Sequence, residues 1–223
     1  MTSRRSFVTA LTSLAGFAVA GRSVEPLEAQ APAPPATPAA RPAIEWDLSW
    51  MDQFKGKHKQ VFDLHSFDLS KDSPLRQPTN YFDTFRDVYR LEPPDVNVAV
   101  GISNTALPMN MSDAIWEKYG LGERYRINDP ATGKPATRNI YLGPASGGSG
   151  PMVRALQAKG AVFWQCNVAL SNFIARLARD LGTPAADVRA ELIAGFNPGV
   201  KLVPAHVMAL GLLQERGFTY EKV

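Results

Sequence analysis

The chain has 223 residues, 45% of them hydrophobic and 20% charged, with a single cysteine. It is long enough for one α/β domain with a sizeable core, and the lone cysteine excludes an intramolecular disulfide. The formal net charge is +3, yet without Arg4 and Arg5 only 22 basic side chains would face 21 acidic ones, so no nucleic-acid partner is expected.

Ser3-Arg4-Arg5-Ser6-Phe7 precedes an uncharged apolar run that ends in Ala18-Val19-Ala20. A basic start, a short apolar stretch and an A-x-A site predict a signal peptide over residues 1–20. The run is too short for a membrane span, which takes about 20 apolar residues. Paired arginines ahead of Phe resemble a bacterial twin-arginine signal. The alternatives are a general secretory signal or an uncleaved anchor. The expectation is export to the periplasm with no stable membrane insertion after cleavage. Residues 21–45 read as a linker, with Pro26, Pro32, Pro34, Pro35, Pro38 and Pro42 set among alanines that favour extended polyproline geometry. The folded domain is assigned to 46–223, starting near Trp46–Lys57.

Gln60–His65 reads as a first strand. Asn80 is placed as the cap of a helix with Asp83 at its third position, and Phe82, Phe85, Val88 and Tyr89 form its apolar face. Asp95–Gly101 is a valine-rich second strand. Ser112 starts a helix carrying Ile115, Trp116 and Tyr119, the last two expected on the surface as interface aromatics. Tyr125–Gly150 is dense in Gly, Pro, Asn and Thr and reads as a lid or docking arm, or as a hairpin with Ile140-Tyr141-Leu142 as one arm. Its Gly143–Gly150 stretch could cradle an anion with backbone amides, but lacks the Lys-Ser/Thr ending of a P-loop. Pro151 opens the next helix at its first position.

Ala161-Val162-Phe163-Trp164 is a short buried strand, and Val168, Leu170, Phe173, Ile174, Leu177 and Leu181 form a helical stripe directly after it. Cys166 therefore sits where a strand ends and a helix begins. Unpaired amides and the positive end of the helix dipole favour a thiolate there. The competing reading is a small buried hydrophobe. Thr183-Pro184 starts a further helix, Val200–Val203 is a fourth strand, Pro204–Arg216 is a mostly apolar helix stopped by Gly217, and Phe218–Val223 is a last strand. Strands alternating with helices predict a mainly parallel sheet covered on both faces.

The strand–Cys–helix unit VFWQCNVAL and the tail VKLVPAHVMALGLLQERGFTYEKV resemble the DsrE/DsrF-type family of small α/β proteins, across roughly Lys57–Val223. The resemblance implies a three-layer α/β/α fold with a sheet of about five strands and assembly into oligomers. It also implies sulfur carried as a persulfide on the cysteine that Cys166 matches, with no cofactor and with a sulfur donor or acceptor protein as partner.

Ligands of open parallel sheets bind beyond the carboxyl ends of the strands. The side chains expected there are His65, Ser103, Asn104, Thr105, Cys166, Asn167, Pro204 and His206. Cys166, His65 and His206 are the candidate catalytic residues, a thiol with two imidazoles that could tune it or move its proton. Ser103, Asn104, Thr105, Asn167 and Pro204 are the candidate binding residues. One Cys and three dispersed His show no metal-ligand spacing, so no metal is expected. Met109-Asn110-Met111 is read as core or interface. The rival to a sulfur carrier is a non-catalytic oligomeric or ligand-binding module with a packed Cys166.

Overall fold

The computed structural model describes residues 46–65, 74–143 and 152–223. The expectations for the signal (1–20), the linker (21–45), the glycine-rich 144–150 and Pro151 lie outside the described residues. Five parallel strands form one sheet in the order β4-β3-β2-β1-β5. They are β1 His58–Leu64, β2 Val96–Ile102, β3 Val162–Cys166, β4 Lys201–Val203 and β5 Thr219–Lys222. β2 is central and buried along its whole length, as a valine-rich strand covered on both faces must be. The edge strands β4 and β5 are short, which limits pairing with another chain.

Side chains alternate across the sheet with period two and divide the core into two. Phe62, Leu64, Val98, Val100, Ile102 and Phe163 point to one face. There they meet α1 (Arg76–Thr84), α2 (Asp113–Tyr119), α3 (Leu121–Arg124), α4 (Val153–Ala158), α5 (Asn167–Leu181) and α6 (Ala185–Ala194), through Phe82, Trp116, Leu121, Leu156, Phe173 and Leu192 among others. Val61, Ala99, Trp164 and Val203 point to the other face. They pack on α7 (His206–Glu215), the 3-10 segment Ser49–Gln53, Phe54 and Phe218. The sheet is thus sandwiched in the three-layer α/β/α arrangement expected from the sequence. Gly217 adopts φ +85°, which a glycine tolerates, and ends α7 as expected.

Several local expectations are corrected. The first helix starts at Arg76 rather than at Asn80, because buried Leu75 anchors its start and Thr79 returns both its N–H and its hydroxyl to the Leu75 carbonyl. Pro78 falls in the first turn, where no amide partner is required. The helix ends in a π-helical turn, Phe85–Tyr89. The wider turn rotates Val88 and Tyr89 out to solvent, so only Phe82 of the predicted face is fully buried. Trp116 and Tyr119 are not surface aromatics: both are buried, with the Trp116 indole N–H donating to the Pro108 carbonyl and the Tyr119 hydroxyl donating to Glu191.

In the described part of Tyr125–Gly150, Ile140–Leu142 is not a strand and forms no hairpin arm. One antiparallel bridge, Asn128↔Pro135, closes a turn, and the chain is then pinned by buried Asn139. The sixth helix starts at Ala185, with Pro184 rather than Thr183 at its cap. Met109-Asn110-Met111 is fully buried, as expected of core.

Candidate functional site

The carboxyl ends of β1, β2 and β3 converge on the α7 face. Register puts Asp63 beside Gly101 and Gly101 beside Trp164. Continuing each strand by two residues along the same face brings His65, Ser103 and Cys166 to the edge.

Cys166 is the last residue of β3 and the N-cap of α5. Its sulfur accepts from the Ala169 N–H at 3.5 Å and from the His206 N–H at 3.3 Å. The starts of α5 and α7 thus both present an amide to one sulfur. The thiol itself does the capping that Ser or Asp performs elsewhere. The residue is 3% exposed. Two amide donors, one from each of two helix starts, thus converge on that atom.

His206, also 3% exposed, opens α7. Its Nε2 lies 2.6 Å from Asp63 Oδ1. The other carboxylate oxygen, Asp63 Oδ2, accepts from the Tyr220 hydroxyl at 2.8 Å. Burial holds the His206 imidazole below its ordinary value near 6.5, outweighing the opposite pull of Asp63, and nearby His65 adds to the lowering. The ring is therefore neutral near pH 7. A ring proton on Nε2 serves this contact to a carboxylate oxygen. Among the described residues His206 Nδ1 and Trp164 Nε1 are buried without a partner. The Trp164 and His206 ring centroids are 5.7 Å apart. Gly101 is what lets the rings come so close to the sheet: a Cβ there would stand 2.2 Å from Trp164 and 2.7 Å from His206 Cε1.

Of the residues named from sequence, Cys166, His206 and His65 are brought together. The His65 ring lies 5.7 Å from that of His206, at the half-buried rim, with Nε2 2.8 Å from Asn104 Nδ2. Asn104 thus joins the site through His65, at a left-handed φ of 38° that asparagine tolerates. Ser103 is buried at the end of β2, its N–H donating to the Leu64 carbonyl. Asn167 accepts from Arg189 and ties α5 to α6, Thr105 is exposed in the 3-10 segment Asn104–Asn110, and Pro204 bends the chain between β4 and α7.

Asp63 and Tyr220 complete the cluster and were not singled out from sequence. Asp63 did leave a signal, a carboxylate within an apolar strand one residue from its end. Such a group needs a partner when buried. Tyr220, on an exposed edge strand, left none.

Among the described residues no three His, Cys, Asp or Glu side chains are grouped to hold a metal ion, and no helix is long and apolar enough to cross a membrane. No family model and no curated protein matches the chain. A similar solved structure is the protein of unknown function MTH1491 from Methanobacterium thermoautotrophicum. It is 14% identical, and the match covers 74% of this chain and 99% of that one with a TM-score of 0.37.

Proposed function

We propose that this chain is a DsrE-like sulfur carrier that holds sulfane sulfur as a persulfide on Cys166. The observation that supports this reading is the pair of amides, from Ala169 and His206, directed at the sulfur from two helix starts. The Cys166 thiolate attacks the outer sulfur of a donor persulfide. A sulfur–sulfur bond forms on Cys166 and the donor leaves as a thiolate. An acceptor thiolate then takes the outer sulfur and Cys166 is released as thiolate, so the cycle involves no net oxidation. Incubating the full chain with a persulfide donor should add the mass of one sulfur atom, lost on reduction and absent in Cys166→Ser. No adduct, with a thiol that stays inert until the chain unfolds, would overturn the proposal.

One observation favours a second reading. The sulfur is almost wholly enclosed and already serves as a helix cap, as a structural cysteine in a binding module would. Alkylation of the folded protein separates the two, being fast for a carrier and blocked for a packed thiol.

Export by the twin-arginine route belongs to the same proposal and is supported by Arg4-Arg5 and Ala18-Val19-Ala20. Changing both arginines to lysine should hold the precursor in the cytoplasm, and delivery of the variant to the periplasm would overturn that assignment. Assembly with copies of itself is supported by apolar side chains left at the surface, among them Val168 and Val207 in the first turns of α5 and α7. A monomer mass by light scattering that does not change with concentration would remove it.

A further inference from the structure

Asp63 lies 143 residues from His206 in the chain, yet their side chains meet in the interior. The Tyr220 hydroxyl occupies the second carboxylate oxygen. Burying this pair costs desolvation of a carboxylate. If it served only to tie α7 to the sheet, both ring nitrogens of His206 would be expected to find partners. Instead Nε2 alone is engaged, and Nδ1 is buried and unpartnered among the described residues. Nδ1 is the ring nitrogen nearer the His206 backbone, whose own N–H reaches the Cys166 sulfur at 3.3 Å. Nδ1 makes no hydrogen bond to the sulfur, so its lone pair is free, and it belongs to the residue whose backbone already touches the thiol.

The geometry points to a Cys166–His206–Asp63 proton relay in which His206 Nδ1 takes the proton of the Cys166 thiol and Asp63 is the positioning residue that decides which nitrogen is free. The inference rests on the sulfur-carrier reading for its purpose, not for its test. The S–H bond breaks, the proton moves to Nδ1, and a thiolate and an imidazolium result. The thiolate remains against the Ala169 and His206 amides. The imidazolium keeps its Nε2 bond to the Asp63 carboxylate, which is not itself protonated. The titratable groups around the ring are Asp63 and His65 from β1 and its end, Tyr220 from β5 and Cys166 from β3. β2 and the residue after it present Ala99, Gly101 and Ser103 on this face, none of which titrates.

The test has two readouts on the full chain. Nitrogen-15 spectra of wild type near neutral pH should show His206 with an unprotonated, pyridine-like Nδ1 and a protonated Nε2. A proton on Nδ1 overturns the relay, and this reading is made on wild type, so it decides even where a variant fails to fold. The second readout is the rate of Cys166 alkylation against pH. His206→Asn should lower the rate near neutral pH by about a hundredfold, in line with the contribution of a positioned base. Asp63→Asn should lower it too, and Asp63→Glu should restore part of the loss. A purely structural pair would shift melting while leaving the pH–rate curve of each folded variant unchanged, and that result also overturns the relay. A chain that passes both tests but takes up no sulfur keeps the relay and loses the carrier function. Sulfur uptake with an unchanged alkylation rate in His206→Asn keeps the carrier function and overturns the relay.

Discussion

Two polar clusters, buried but for Tyr220, lie at the carboxyl end of the sheet, on opposite faces and built of different chemistry. On the α5 face Asn110, Asn139, Gln165 and Asn197 are buried. Their side-chain amides donate to main-chain carbonyls: Asn110 to Trp164, Asn139 to Met109 and Met111, Gln165 to Cys166, and Asn197 to Met109. On the α7 face the cluster is Asp63, Cys166, His206 and Tyr220, every member able to gain or lose a proton. The amides leave only carbonyl oxygens unpartnered, Asn110 Oδ1 and Asn197 Oδ1, whereas the ionisable cluster leaves a basic nitrogen, His206 Nδ1. Amides that do not titrate can hold irregular chain in place at any pH, which is what the segment Asn104–Met111 needs as it leaves β2. A carboxylate, an imidazole and a thiol are poor glue by comparison, because each must be desolvated and can change charge. In the proposed relay this ionisable cluster is the one that moves a proton.

The comparison is broken most forcefully by removing an amide. Asn139→Ala removes one of the two side-chain donors to the Met109 carbonyl, the side-chain donor to the Met111 carbonyl and the side-chain acceptor of the Tyr141 N–H. The expected loss is about 3 kcal/mol of unfolding free energy, measured by denaturant titration. Cys166 alkylation in the folded fraction should not change. A change as deep as that of His206→Asn would mean the two faces are one coupled unit.

Gly101→Ala strikes the other face. The new methyl group would stand 2.2 Å from the Trp164 ring and must displace it or His206. Overpacking of this kind costs about 1–3 kcal/mol. Unlike Asn139→Ala, it should also slow thiol alkylation, because it moves the imidazole. Normal alkylation in a destabilised Gly101→Ala would show that the ring position is irrelevant to the thiol.

A gentler probe is pH. The folded state holds His206 below its ordinary value of 6.5, so between the lowered native value and 6.5 the unfolded chain binds more protons than the native one. Stability from this group is present above about pH 6.5 and is lost as pH falls through the lower native value. Thermal melts should show that slope in wild type and in Asn139→Ala, and a flatter one in His206→Asn. Asp83, Asp129 and Glu191, each held low first by its bond to a basic side chain, contribute a separate loss as pH falls below about 4.

Much of this architecture was legible because it depends on local pattern. The valines of Asp95–Gly101 announce a strand, one residue offset from β2, and the switch from Phe163-Trp164 to the Val168–Leu181 stripe locates Cys166 at a strand end. The site was only half legible because its pairing is not local. Asp63 reaches His206 through parallel register, and nothing near Asp63 in the chain states that β1 lies two strands from β3. Faces were misread where neighbours decide exposure. Trp116 is covered because the Asn104–Asn110 segment offers it the Pro108 carbonyl, and Val88 is exposed because a π turn interrupts the helical period.

The finest test of the comparison is Tyr220→Phe. Tyr220 donates to Asp63 Oδ2 at 2.8 Å but is 44% exposed, on the outermost strand of the sheet. Its hydroxyl is held above the ordinary tyrosine range, first by that bond to Asp63, so it remains a donor near neutral pH. Removing it takes a half-exposed donor from one carboxylate oxygen. The expected loss is therefore at the low end for a hydrogen bond, about 0.5 kcal/mol. Asp63 keeps its bond to His206 Nε2 and the proton stays on that nitrogen, so the alkylation rate should stay within about threefold of wild type, a small fraction of the factor assigned to a general base. A Tyr220→Phe rate as low as that of His206→Asn, measured on folded protein at the same pH, would place the phenol inside the proton path. The relay would then have to be redrawn through β5 rather than ending at Asp63.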